Sequence, residues 1–164
     1  MQSPIPSQEE AGPFSDAPLS DELALVVVGA KRRAVRDGDR QIDTAHLLHS
    51  LLEADPEVRD AFADRTQVAR LLGYLVQRSI GYGLRWQGAV EDSGAVPMVS
   101  GAPGWSPVAA AAMEAGAERA ASRGDVRARG VDVLAALAEA AECRAVEVLG
   151  RAGVDVAGLR QRLN

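Results

Sequence analysis

Residues 19–54 of this chain return, without a gap, 86 positions later as residues 105–140. Ser20 falls on Ser106, Ala24 on Ala110, Arg33-Ala34 on Arg119-Ala120, and Gly38-Asp39 on Gly124-Asp125. Leu48, Leu51, Glu53 and Ala54 meet Leu134, Leu137, Glu139 and Ala140, giving 10 identities in 36 positions. Chance would give roughly three to four in a composition this rich in alanine. The shared residues are a helix cap, a helix-ending glycine and a leucine pair. The chain is therefore read as one structural unit used twice.

The pattern within each unit is helical. Ser20 caps a first helix, with Asp21 and Glu22 favourably placed against its dipole. Leu23, Val27, Ala30 and Ala34 form its apolar stripe, and Gly38 ends it. Asp43 or Thr44 caps a second helix carrying Leu47, Leu48, Leu51 and Leu52. Asp55-Pro56 opens a short third, and Val68, Leu71, Leu72, Leu75 and Val76 space a fourth. Helix five opens with Ser106-Pro107 and turns Ala109, Met113, Gly116 and Ala120 inward before Gly124. Helices six to eight are expected over 131–141, 142–150 and 155–163.

No segment alternates like a half-buried strand, so the fold class is all-α, about eight helices in two four-helix repeats. The first repeat is placed at 19–80 and the second at 105–164, joined by a connector at 81–104. That connector has six glycines and two prolines, and Trp86 and Val90 are expected to tuck onto the core. Residues 1–18, with four prolines, are read as a flexible arm.

Composition narrows function mainly by exclusion. A net charge of −5 argues against nucleic acid, whose phosphates need a basic surface. The 17 arginines against the single Lys31 look like a genomic bias. The lone Cys143 cannot form an internal disulfide, is placed in a helical stretch, and fits a reducing compartment. No apolar run approaches the roughly 18–20 residues that span a bilayer. The first ten residues lack a signal peptide's basic and apolar regions, so the cytoplasm is the expected location.

Catalytic chemistry is not legible. There is no P-loop and no nucleophile elbow, and Gly81-Tyr82-Gly83 is too short for a dinucleotide fingerprint. His46 and His49 are two imidazoles where zinc sites want three or four ligands, and Glu53 could supply a third. They are read as a core-facing His46 and a solvated His49, with no metal and no cofactor. Asp37/Asp39 and Glu91/Asp92 are read as turn carboxylates. The chain is expected not to be an enzyme.

The run Ile42-Asp43-Thr44-Ala45-His46-Leu47-Leu48 resembles the "I-x-T-E-H-L-L" signature of the Clp N-terminal repeat. Trp105-Ser106-Pro107 resembles the aromatic-Ser-Pro opening of the family's second repeat, and the stretch from Leu149 to Asp155 resembles its Leu-x-x-x-Gly-Val-Asp turn. The resemblance spans residues 19–164. It implies two pseudo-twofold-related four-helix repeats and a docking role near the pore of a Clp unfoldase, here as a free-standing copy or a fragment without ATPase modules. The family's Glu is replaced by Ala45 and Val131, so the resemblance does not imply phosphoarginine recognition. The His of the first repeat is Asp132 in the second.

The expected function is binding of adaptor or substrate proteins or peptides, with the Clp machinery or cyclic peptides as candidate ligands. A groove between the repeats is the expected site. Its candidate residues are Asp43 and Thr44 at the start of helix two and Arg127 and Arg129 near helix six, where solvated surface charge is the competing reading. Monomer or weak dimer is the expected state. The alternative is a self-associating helical structural or regulatory protein.

Overall fold

In the computed structural model, which describes residues 18–79, 91 and 104–164, the helices are α1 Asp21–Asp37, α2 Thr44–Ala54, α3 Pro56–Asp60 and α4 Arg65–Ser79, then α5 Pro107–Ser122, α6 Gly130–Glu139, α7 Arg144–Arg151 and α8 Val156–Leu163. Two strands of two residues each, β1 Gln41–Ile42 and β2 Gly104–Trp105, complete the described elements. The all-α class holds. The expectations for the arm, for Trp86 and for Val90 lie outside the described residues.

Local sequence explains the ends of the long helices. Ser20 and Ser106 each accept from the backbone N–H three residues on, at 3.1 Å in both copies. Gly38 and Gly124 each take a left-handed conformation, at φ 69° and 81°. That turn lets the N–H of Asp39 reach the Ala34 carbonyl and the N–H of Asp125 reach Ala120, both at 2.9 Å. Both are Schellman stops, satisfying carbonyls that the helix would leave orphaned.

The repeats exchange backbone pairings. Ile42, just before α2, pairs in parallel with Trp105, just before α5. A shift of 86 residues turns this contact into Ala128 against Leu19, and that bridge is also present. Ser106 N–H donates to the Ile42 carbonyl at 2.9 Å and Ser20 N–H to the Ala128 carbonyl at 2.8 Å. The same bond is thus made in both directions across the pseudo-twofold axis. Each ladder is too short to have shown as alternation in the sequence.

Above these crossings sits one core. Leu48, Leu51, Leu134 and Leu137, the leucines shared by the repeats, are fully buried together with Leu23, Leu47, Met113 and Leu149. Each such side chain contributes about 1.5–3 kcal/mol of burial. The α5–α6 contact is close: a Cβ placed on Gly116 would lie 3.2 Å from the Val133 backbone. In α1 the buried stripe runs through Val26 and leaves Val27 half-buried, because the face turns slightly from the expected spacing. Helix α7 begins two residues later than expected. Glu142 adopts φ 65°, and Cys143 lies at the N-cap of α7, outside the helix proper.

The conformational role of Gly38 is directly testable. Gly38→Ala forces a Cβ into the left-handed region and is expected to cost about 1 kcal/mol. Gly73 lies inside α4 with nothing within 4 Å of an added Cβ. Gly73→Ala should therefore gain about 0.5–1 kcal/mol from helix propensity. Urea midpoints moving in opposite directions for the two variants check this.

Candidate docking surface at the repeat junction

The start of α2 is organised by a capping box in which histidine takes the place usual for Glu or Gln. Asp43 accepts from His46 N–H at 2.9 Å, and the Asp43 N–H donates to His46 Nδ1 at 2.9 Å. With Nδ1 accepting, a neutral ring carries its proton on Nε2, which lies 2.7 Å from Asp39 Oδ2. Asp37, Asp39 and His46 bring three donor atoms within 4.8 Å of one another. A metal on Nε2 would need that lone pair, which means moving the proton to Nδ1 against the Asp43 N–H. The geometry favours a hydrogen-bond relay over a metal centre.

An 86-residue shift turns Asp37, Asp39 and His46 into Arg123, Asp125 and Asp132. Asp132 does the work of His46 by accepting from Arg129 N–H at 2.9 Å. Having no proton to give Asp125, it is joined to that residue by Arg123, which donates to both carboxylates. The hydrogen-bond donor has moved from the third position of the triad to the first. Burial alone would raise the Asp132 pKa, but the Arg123 guanidinium and the Arg129 N–H outweigh it and hold the carboxyl below the usual range.

A second sign exchange spans the junction. Asp43 meets Arg144 at the start of α7, 2.8 Å apart and buried. Its counterpart Arg129 meets Glu57 at the start of α3, 2.9 Å apart and half exposed. Each repeat therefore ties the entry of its second helix to the other repeat, with the charges reversed.

Glu91 completes the junction. Its buried carboxylate accepts from Thr44 N–H at 2.9 Å, Arg144 N–H at 2.7 Å and the Ser106 hydroxyl at 2.9 Å, and also from the Thr44 hydroxyl. Thr44 Oγ1 in turn accepts from Ala145 N–H at 3.0 Å. One anion thus sits against the N-termini of α2 and α7, where exposed N–H groups and helix dipoles favour it.

These facts place the four candidate residues. Asp43 and Thr44 are 1% and 0% exposed and are spent on internal bonds. The expected groove between the repeats is, at these residues, a sealed polar layer. Arg129 keeps a partly exposed guanidinium against Glu57. Arg127 is 60% exposed and lies 3.5 Å from a still more exposed Asp21, a pair worth little in water.

Glu91, Arg123 and Arg144 were not identifiable from the sequence. Glu91 and Arg144 act on residues distant in the chain, Arg123 bridges two carboxylates across a loop whose shape the sequence does not give, and Glu91 has no counterpart in the repeat. Cys143 is buried, and burial pushes its thiol pKa up, which makes it a poor nucleophile. His49 corrects an expectation: it is buried, not solvated. Its Nε2 lies 3.1 Å from Glu53 Oε1 but out of line for a hydrogen bond. Among the described residues, no helix is long and apolar enough to cross a membrane.

This architecture is that of the Clp N-terminal domain. The structure is similar to the N-terminal domain of the Caseinolytic protease associated chaperone ClpD from Arabidopsis thaliana, with TM-score 0.62 and 16% identity over 88% of this chain and 91% of that one. It is also similar to the Hsp104 N-terminal domain from Candida albicans, with TM-score 0.60 and 13% identity over 89% of each chain. A protein from a malarial protein secretion system matches with TM-score 0.64 and 11% identity, over 90% of this chain and 92% of that one. No family model matches the sequence, and no curated protein matches it. At these identities the likeness establishes the fold.

Burial, then Arg33, lowers the His49 pKa from 6.5 to about 4. The unfolded chain therefore takes up this proton first as the pH falls. The stability owed to neutral His49 is intact above about 6.5 and lost progressively towards pH 4, a span worth about 3 kcal/mol. Urea denaturation from pH 7 to 4 should show this loss in the parent and a shallower slope in His49→Gln. Equal slopes would contradict it.

Proposed function

We propose that this protein is a non-catalytic docking module that holds protein or peptide partners for a Clp-type unfolding or proteolytic system. The observation that carries the reading is the fold. A likeness to isolated N-terminal domains of Clp-type chaperones extends over about nine-tenths of this chain and of theirs.

The site chemistry supports binding over catalysis. The two histidines are committed to a capping box and to burial, and the one thiol is buried with its pKa raised. On this reading Arg127 and Arg129 face the partner, with their charge directed to acidic groups. Asp43 and Thr44 act from beneath by fixing the start of α2. The protein acts in the cytoplasm, as an adaptor, a competitor for adaptors or a decoy for ligands of a full-length unfoldase. It does so as a monomer or weak dimer.

A pull-down from native cytosol, using the full chain as bait, tests the role. Clp unfoldase, adaptor or peptidase subunits should be enriched over a folded control, and Arg127→Glu/Arg129→Glu should reduce the capture. No enrichment of any of them would remove the Clp-docking reading.

A further inference from the structure

Away from the junction, α1 and α2 leave an open groove of about 400 Å³ lined by Leu25, Arg32, Arg33, Arg36, Ser50 and Glu53. An 86-residue shift converts these to Ala111, Glu118, Arg119, Ser122, Ala136 and Glu139. All but Ala111 line a groove of about 550 Å³ on α5 and α6. The groove is therefore a feature of the repeat, present in both copies.

In the second copy the end of the described chain forms part of the wall. Arg119 donates to the Leu163 carbonyl at 2.8 Å and to Asn164 Oδ1 at 3.1 Å, which fixes the end of α8 along the groove. In the first copy the equivalent Arg33 turns across the groove to Glu53. Arg32 and Arg36 stand where the second copy has Glu118 and Ser122, so the walls carry three arginines against one glutamate, with Asp37 3.5 Å from the exposed Arg36. Ser50 replaces Ala136, and its hydroxyl is buried without a hydrogen-bond partner, in a residue 3% exposed. At the rim, Leu25 is 63% exposed and Val28 45%. A net-positive groove on a chain of net charge −5 is a local reversal of sign.

We propose that the α1–α2 groove docks an extended acidic peptide segment of a partner protein. Carboxylates of the segment pair with Arg32 and Arg36, and an aliphatic side chain covers Leu25 and Val28. The proposal rests on the docking reading and assigns it a surface and a ligand chemistry.

The test is fluorescence anisotropy with the full chain and a short fluorescein-labelled peptide of Glu, Asp and Leu, against the same peptide with Gln and Asn for the acids. The acidic peptide should bind, with affinity falling as salt rises and about tenfold in Arg32→Glu/Arg36→Glu. Ser50→Ala, which copies the second repeat at a hydroxyl closed to solvent, and Glu118→Gln in the α5–α6 groove should both leave it unchanged, and amide shifts on titration should fall on α1 and α2. Equal binding of both peptides, or affinity indifferent to the arginine substitutions, overturns the proposal. A gain in affinity in Glu9→Gln/Glu10→Gln assigns the groove to the chain's own acidic arm and also overturns it. If cytosolic partners are captured equally by Arg32→Glu/Arg36→Glu, docking stands and this groove falls. If neither peptide nor partner binds, both fall.

Discussion

Two backbone hydrogen bonds, Ser106 to Ile42 and Ser20 to Ala128, fix the relation of the repeats. Each joins the residue that caps one repeat's first helix to the residue leading into the other repeat's second helix. Helix caps are local devices, but here each cap residue also carries the long-range contact. The entries of α1, α2, α5 and α6 are thus each set by the opposite repeat. A four-helix unit with so few aromatics has little core of its own, and the exchange lets Leu48, Leu51, Leu134 and Leu137 share one interior.

Around that clasp, the two copies keep positions while exchanging chemistry. His46 and Asp132 both accept an N-cap N–H, although only one can also donate a proton. Arg123 supplies the missing donor from the position that Asp37 holds in the first copy. Asp43 with Arg144 and Arg129 with Glu57 repeat the pattern across the junction. Hydrogen-bond geometry is conserved here and the sign of the charge is not, because a relay needs a donor and an acceptor but not a fixed order. Glu91 stands outside the symmetry. Removing its carboxylate would strand several buried donors, each costing about 1–3 kcal/mol.

Much of this was legible in the chain. Caps, glycine stops and leucine pairs are short-range signals, and the 86-residue offset made each one readable twice. Strand exchange left no trace because two residues are too few to alternate. Likewise, Asp43 and Thr44 looked like surface charge and polarity at a helix start. Only the arrival of Arg144 and Glu91, 101 and 47 positions away, buries them. His49 reads as solvated from its spacing, yet the approach of α1 covers it. The difference between the two grooves was invisible for a related reason: Arg33 and Arg119 are identical, and what separates them is whether Leu163 lies alongside.

Such a junction leaves the outer helix faces free to vary. The clasp makes both repeats one cooperative unit. Native-state hydrogen exchange in rising urea measures this directly through the amides of Ser20 and Ser106. Both should open only with global unfolding, with the same free energy and urea dependence as the core amides of α2 and α6. If one repeat exchanged at a lower free energy and a shallower urea slope while the other stayed protected, the repeats would be separate units and the clasp would not unite them.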